Sequence, residues 1–163
     1  MRGDSVIDAY LGIDPGAHGA AALLDREGLF IALLDWPGES VTANAELEGW
    51  MQEMNIQAAG LEKVNARPGI AVQASGKQQE NIALWEGLLI AHHIKLLKPT
   101  PHAWQKGLVL PSDGPDPKTR SLTVARRLFP DQLERLKRKG DHNRADALLI
   151  AEYTRRTCLQ GGV

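Results

Sequence analysis

The stretch VIDAYLGIDPGAHGAAALLDREGLFIALLD, residues 6–35, contains three apolar runs separated by short polar turns. The runs at 6–14, 19–25 and 29–35 have the length and the composition of β-strands, and Pro-Gly and Arg-Glu-Gly supply residues typical of the turns between them. Because short connections join neighbouring strands in an antiparallel sense, this stretch predicts a three-stranded antiparallel meander.

Helical and strand patterns alternate in the rest of the chain. Apolar spacing predicts further strands at 56–63 and 94–98, and helices at about 42–54, 77–92, 118–128, 131–138 and 142–156. The segments between them that are rich in Pro, Gly, Ser or Asp, at 65–76 and 111–117, are typical of loops. This order predicts a single α/β domain spanning 1–163, with a mixed five-stranded sheet of three antiparallel and then parallel strands, flanked by helices. That layout is the RNase H-like fold.

Composition indicates a soluble globular protein. The chain has 163 residues, of which 43% are hydrophobic and 24% charged. One cysteine, Cys158, excludes an intramolecular disulfide, and no apolar run is long enough to cross a bilayer. Asp4 and Asp8 interrupt what would be the apolar part of a signal peptide. These features favour the cytosol and predict no association with a membrane.

Charge is distributed unevenly along the chain. Residues 1–94 contain 5 Lys/Arg and 13 Asp/Glu, whereas residues 95–163 contain 14 Lys/Arg and 7 Asp/Glu. The balances of −8 and +7 return the net charge of −1. The densest cationic run comprises Arg135, Lys137, Arg138, Lys139 and Arg144. Such a run is either a solvated helix face or a surface for nucleic acid, and both interpretations remain open at this point.

Three acids stand at the ends of apolar elements. Asp14 ends the first predicted strand, Glu62 ends another, and Asp146 lies in the first turns of the last predicted helix. Each alone could be an ordinary turn or surface residue. His142 precedes Asp146 by four residues and so shares its helix face, whereas Asp141 is better placed as the helix N-cap.

Phosphodiester hydrolysis gives these acids a reason to converge. Two Mg²⁺ ions roughly 3.5–4 Å apart can bind both the attacking water and the leaving oxygen. Mg²⁺ prefers oxygen ligands and keeps several waters, so a few carboxylates suffice. Asp14 would bridge the two ions, Glu62 would complete one site, and Asp146 with His142 or Asp141 would complete the other. Mn²⁺ would be expected to substitute.

Three segments resemble the RuvC-type Holliday junction resolvases: GIDPGAHGAAALLD at 12–25, LEKV at 61–64 and DHNRADALLIAEY at 141–153. They occur in the family's order, with family-like spacing, and span nearly the whole chain. The small phage and plant-organelle branch is the most similar, because its GKQ…LWEG and RLFP…LKRK motifs also appear, at 76–87 and 127–139.

The resemblance implies an RNase H-like homodimer that makes paired nicks in a four-way DNA junction, in the cytoplasm of a bacterial or phage-infected cell or in an organelle. It assigns metal-binding and catalytic roles to Asp14, Glu62 and Asp146. His142 is favoured as the fourth ligand, with Asp141 as its rival, and Lys106 is a catalytic lysine near the scissile phosphate. The expected DNA contacts are polar or cationic residues: Arg67, Lys77, Gln78, Asn81, Lys106, Lys118, Arg120, Lys137, Arg138, Lys139 and Arg144.

Three other classes of protein share part of the pattern. ATP-binding proteins of the actin, Hsp70 and sugar-kinase superfamily also have an Asp-x-Gly turn after such a strand, as in Asp14-Pro15-Gly16. They need two domains to enclose a nucleotide, and this chain has room for one, so no nucleotide cofactor is expected. A nuclease of the same fold that acts on RNA shares the metal chemistry. A junction-binding protein without catalysis would not need all the acids.

Overall fold

A computed structural model describes residues 6–64 and 72–161 and shows a five-stranded mixed sheet. Its strands are β1 (Ile7–Asp14), β2 (Ala20–Asp25), β3 (Phe30–Asp35), β4 (Met54–Leu61) and β5 (Leu96–Leu97). The spatial order is β3-β2-β1-β4-β5, with β1, β2 and β3 antiparallel to one another in turn and with β4 and β5 added in parallel. The predicted fold class is therefore confirmed.

Helices cover both faces of this sheet. The α-helices are α1 (Ser40–Glu53), α2 (Val72–Ala91), α3 (Pro101–Gln105), α4 (Pro117–Leu128) and α5 (His142–Leu159). Short 3₁₀ turns occupy Pro111–Asp113, Pro130–Leu136 and Lys139–Asp141. In the described part of the chain, no helix is both long enough and apolar enough to span a membrane.

Three local predictions differ from the structure. Helix α2 begins at Val72, inside the predicted loop at 65–76, whose earlier residues lie outside the described ranges. The predicted helix at 131–138 is a 3₁₀ turn over Pro130–Leu136, and the Arg126 guanidinium donates to the carbonyl oxygens of Leu136 and Lys137 at its end, at 2.6 to 3.1 Å. The predicted strand at 94–98 is reduced to two residues.

Two apolar clusters pack on the two faces of the sheet. One joins α1 and α2 to Ala9, Leu11 and Ile13 of β1. The other joins α4, α5 and Trp104 of α3 to the opposite face of β2. Since successive side chains of a strand point to opposite faces, Gly12 and Asp14 of β1 face α5.

Helix α5 lies unusually close to the sheet. A Cβ atom added at Gly12 would lie 2.1 Å from the backbone nitrogen of Ala151, and one at Gly60 would lie 2.2 Å from Oγ1 of Thr154. Glycine at both positions therefore lets the helix lie directly against β1 and β4. The first turns of α5 come to rest beside the carboxyl ends of these two strands.

Candidate active site

Asp14 and Glu62 emerge side by side from neighbouring parallel strands. Ile13 pairs with Leu61 in the register of β1 and β4, and the Glu62 amide donates to the Ile13 carbonyl oxygen at 3.1 Å. Gly12 and Gly60 both contact α5, so the acids two residues further on face the same helix. The fold thus brings together two acids that are 48 positions apart in the sequence.

Asp146 of α5 lies close enough to this pair for the charges of both acids to act on it, and the three acids together form the acidic pocket. Burial raises the pKa of Asp14 to about 7, the negative charge of Glu62 adds to that rise, and the Gly16 amide opposes it. Burial also raises the pKa of Asp146 to about 8, with a smaller contribution from Asp14 and Glu62 and an opposing hydrogen bond from Ser121 of α4. The charge of Glu62 therefore acts on the ionisation of both aspartates, and the charge of Asp14 acts on that of Asp146.

The donor set fits a divalent cation that prefers oxygen. Within the described ranges, Oδ1 of Asp146 is buried and has no hydrogen-bond partner, and a bound cation would supply a partner for it. Asp14 and Glu62 each accept a hydrogen bond from a different part of the fold. The Gly16 amide donates to Oδ1 of Asp14 at 3.1 Å, and the Trp104 indole donates to Oε1 of Glu62 at 2.8 Å. Among the described residues, no three acidic, histidine or cysteine side chains are already drawn together tightly enough to enclose an ion.

His142 and Asp141 differ in how far their polar atoms are already engaged. Nδ1 of His142 lies 3.1 Å from the Lys139 carbonyl oxygen, so this nitrogen donates and Nε2 is left as the acceptor. Burial lowers the pKa of His142, which favours the neutral ring that binds metals. Asp141 occupies the N-cap position of α5, but its side chain makes no hydrogen bond to the amides of that helix, so the predicted capping role is wrong. It accepts instead from the Arg138 amide at 2.7 Å and from the Arg144 guanidinium at 3.4 Å.

The two lysines expected near the phosphate are both exposed. Lys106 directly follows α3, where its amide donates to the His102 carbonyl oxygen. Lys118, in the first turn of α4, contributes electrostatically to the pKa of both Asp146 and His142. The structure therefore places Lys118 within electrostatic reach of the acids.

Several predicted DNA contacts turn out to have intramolecular partners. Asn81 is only 4% exposed and donates to the Gly16 carbonyl oxygen at 3.3 Å, so it anchors the loop after β1 rather than standing on the surface. Arg120 donates to the Gly114 carbonyl oxygen at 2.7 Å. The Arg144 guanidinium donates two hydrogen bonds, of 2.7 and 2.6 Å, to the Asp35 carboxylate. The remaining described members of the predicted set are exposed or half-exposed, namely Lys77, Gln78, Lys106, Lys118, Lys137, Arg138 and Lys139, whereas Arg67 lies outside the described residues.

Sequence reasoning missed Trp104 and Ser121, which both contact the acids. Neither is titratable, and each lies in a helix that is separate in sequence from the acid that it contacts. The signal for Trp104 is Thr100-Pro101, a helix N-cap followed by proline at the first helical position. It marks a short helix but not where the indole points.

Known proteins resemble this chain both in sequence and in structure, although no family model matches it. The chloroplastic Holliday junction resolvase of Chlamydomonas reinhardtii is 39% identical over 79 residues. Those residues are 48% of this chain but only 9% of that relative's length.

Solved structures of RuvC from Thermus thermophilus match almost from end to end. One is described as RuvC in complex with Holliday junction substrate, and it matches with a TM-score of 0.65 and 14% identity over 97% of this chain and 98% of that one. The other gives a TM-score of 0.59 and 16% identity over 94% and 97%. The RNase H-like fold and the resemblance to RuvC-type resolvases are thus confirmed.

Proposed function

We propose that this chain is a crossover junction endodeoxyribonuclease that resolves four-way DNA junctions by paired symmetric nicks. The observation that carries the proposal is that Asp14, Glu62 and Asp146, from three distant parts of the chain, lie within electrostatic reach of one another in a RuvC-like fold. The chloroplastic relative, which is named a Holliday junction resolvase, supports DNA junctions as the substrate.

The three acids, with His142 as the fourth ligand, would hold Mg²⁺ ions, two in each active site. Bound Mg²⁺ supplies a nucleophilic water and neutralises charge on the phosphate, and Mn²⁺ would serve similarly. Because Asp14 and Asp146 resist ionisation in the buried pocket, proton release and metal binding are coupled. Lys118 and Lys106 would add positive charge beside the phosphate.

Paired nicks require two active sites, so we propose a homodimer acting on one junction. The exposed cations Lys137, Arg138 and Lys139 precede α5 directly and would contact phosphates on the approach to the acids. The proposed compartment is the cytoplasm of a bacterial or phage-infected cell, and the chloroplastic relative makes an organelle the alternative.

A substrate panel tests the proposal. The protein is incubated with Mg²⁺ and, separately, with a four-way junction, a linear duplex, an RNA–DNA hybrid and a structured RNA. Symmetric nicks confined to the junction are the expected result. Faster cleavage of either RNA-containing substrate would favour an RNA-directed nuclease instead, and nucleotide binding without cleavage would favour an ATP-binding protein.

The Asp14→Asn variant is the matched control for chemistry. The amide keeps the shape of the side chain and can still accept from the Gly16 amide, but it removes the negative charge. We expect the variant to bind the junction as wild type does and to lose cleavage. Full cleavage by this variant would refute the assignment of the site.

A further inference from the structure

Trp104 lies where the apolar core meets the acidic pocket. Its side chain is 1% exposed and packs in the cluster formed by α4, α5 and the sheet. The helix that carries it, α3, has only five residues. Thr100 caps that helix by accepting from the Ala103 amide at 3.2 Å, and Pro101 fixes its first turn. The backbone that presents Trp104 is therefore well defined.

One polar atom of this side chain faces the pocket. Nε1 of Trp104 donates to Oε1 of Glu62 at 2.8 Å. An indole has a single hydrogen-bond donor and no acceptor, so in this contact the indole can only donate and the carboxylate oxygen can only accept. A hydrogen bond to an ionised acceptor is roughly twice as strong as one between neutral groups. The rigid ring thus restrains one oxygen of the Glu62 carboxylate.

We infer that Trp104 is a positioning residue that fixes the orientation of the Glu62 carboxylate for metal binding. This inference rests on the proposed function, because it takes Glu62 to be a metal ligand. Glu62 follows β4 directly, outside the strand, so the backbone ladder alone restrains its side chain little. Groups hydrogen-bonded to a metal's ligands orient those ligands and tune affinity for the metal.

Helix α3 connects this role to a second feature of the site. Lys106, the lysine expected near the phosphate, follows Trp104 by two residues and caps the same helix. The packing of one indole therefore sets both the orientation of Glu62 and the starting point of the Lys106 side chain. Removing the indole donor while keeping the aromatic ring separates these two effects.

The test uses Trp104→Phe, which keeps an aromatic ring in the core and removes the N–H donor. Mn²⁺ binding to the protein alone, without DNA, is measured by calorimetry and by the loss of the free Mn²⁺ electron paramagnetic resonance signal. We expect affinity to fall about tenfold, the lower end of the range for such partners of metal ligands. The matched control is Trp85→Phe, since Trp85 is also 1% exposed but packs against Trp36 on the other face of the sheet. Its affinity for Mn²⁺ should equal that of wild type.

A double-mutant cycle asks whether the effect passes through Glu62. Glu62→Gln alone should weaken Mn²⁺ binding, and adding Trp104→Phe to it should weaken binding no further. Two independent effects that multiply would show that Trp104 acts elsewhere and would overturn the inference.

Nuclear magnetic resonance provides a measurement that does not require a Trp104 variant to fold. The chain has four tryptophans, hence four indole N–H signals, which can be assigned by through-bond experiments. Adding Mg²⁺ to the wild-type protein should shift the Trp104 indole signal, and the shift should be absent in Glu62→Gln. If the chemical shift of the Trp104 indole N–H changed neither on adding Mg²⁺ nor in Glu62→Gln, the inference would be overturned.

The outcomes also separate this inference from the proposed function. If wild-type protein binds Mn²⁺ and Trp104→Phe binds it more weakly, the positioning role is supported. If the wild-type protein then cleaves no junction, the proposed substrate is refuted. Equal Mn²⁺ binding by wild type and Trp104→Phe would sink the positioning role alone. A wild-type protein that binds no Mn²⁺ would sink both.

Discussion

Asp14 and Asp146 are carboxyl groups that the fold holds where a negative charge is unfavourable. Burial raises their pKa values to about 7 and about 8, from an ordinary value of 3.8. A group with a raised pKa in the folded state contributes stability below its unfolded pKa and loses that contribution as the pH rises through the folded pKa. The metal-free protein should therefore become less stable between about pH 4 and about pH 8.

Urea unfolding at a series of pH values, with a chelator, measures this decline. Mg²⁺ should restore stability at the alkaline end, because a bound cation compensates the buried charges. Asp14→Asn should make the unfolding free energy depend less on pH in this range. If the unfolding free energy measured with a chelator stayed constant between about pH 4 and about pH 8, burial would not raise the pKa values of Asp14 and Asp146.

Glu152 contributes in a separate, more acidic pH range. Burial would raise its pKa, but hydrogen bonds from Arg155 and Arg156 lower that pKa overall from 4.5.

Whether His142 or Asp141 is the fourth metal ligand depends on the hydrogen bonds of the two side chains. Nε2 of His142 is left as an acceptor, whereas both oxygens of Asp141 already accept hydrogen bonds around the 3₁₀ turn before α5. We expect His142→Ala to weaken Mn²⁺ binding by roughly tenfold or more. Asp141→Ala should instead cost about 1 kcal/mol of folding free energy, because it removes the acceptor of the Arg138 amide, and leave Mn²⁺ affinity nearly unchanged. Calorimetry and urea unfolding of both variants check this, and the opposite pattern would make Asp141 the ligand.

Residue type and position in the sequence select the three acids as candidates but do not show which side chains surround them. Asp14 and Glu62 could be selected because an acid at the end of an apolar strand needs a reason to be there. Trp104, Ser121 and the buried state of Asn81 could not, because each depends on which helices meet in space. An asparagine that looks suited to reading bases is equally suited to holding a loop.

At the scale of elements, the packing of α5 against β1 and β4 brings Asp146 to the other two acids. Gly12→Ala would place a Cβ atom 2.1 Å from the backbone nitrogen of Ala151, and backbone cannot move aside cheaply. We expect this variant to lose about 3 kcal/mol of unfolding free energy, or to fail to fold.

Gly49→Ala is the control for Gly12→Ala, since Gly49 lies in the interior of α1 and a Cβ atom there meets nothing within 4 Å. Alanine there should stabilise the protein by about 0.5–1 kcal/mol, because helical glycine is unfavourable. Urea unfolding of both variants measures the difference. A Gly12→Ala variant as stable as wild type would show that α5 does not approach β1 this closely.

The sequence predicted elements well where one hydrophobic period repeats for several residues. The three antiparallel strands and the final helix meet this condition, and all four are observed. Helix α3 has too few residues to show a period, and its flanking prolines look like chain breakers. The segment Pro130–Leu136 forms a 3₁₀ turn where the spacing predicted an α-helix, and hydrogen bonds from the Arg126 side chain to the carbonyl oxygens of Leu136 and Lys137, which no periodicity shows, hold its end.

At the scale of the whole molecule, the excess of cations after residue 94 overstates the charge available to a partner. Arg126 and Arg120 donate to backbone carbonyl oxygens, and Arg155 and Arg156 pair with the buried Glu152. These arginines hold the fold together. The cations left on the surface include the consecutive Lys137, Arg138 and Lys139, which lie just before α5.

Salt dependence of junction binding tests whether this exposed group contacts phosphates. Each neutralised phosphate releases counterions and contributes about −0.9 to the slope of log K against log salt. Replacing Lys137, Arg138 and Lys139 together by alanine should make that slope shallower by about 0.9 for each phosphate that is no longer neutralised. Arg26→Ala is the control, because Arg26 is exposed but lies in the turn between β2 and β3, at the end of the sheet opposite Asp14. Binding by fluorescence anisotropy at several salt concentrations gives the slopes. If the triple variant kept the wild-type slope, these cations would be a solvated surface, and the DNA would have to approach the acids from the side of Lys106 and Lys118.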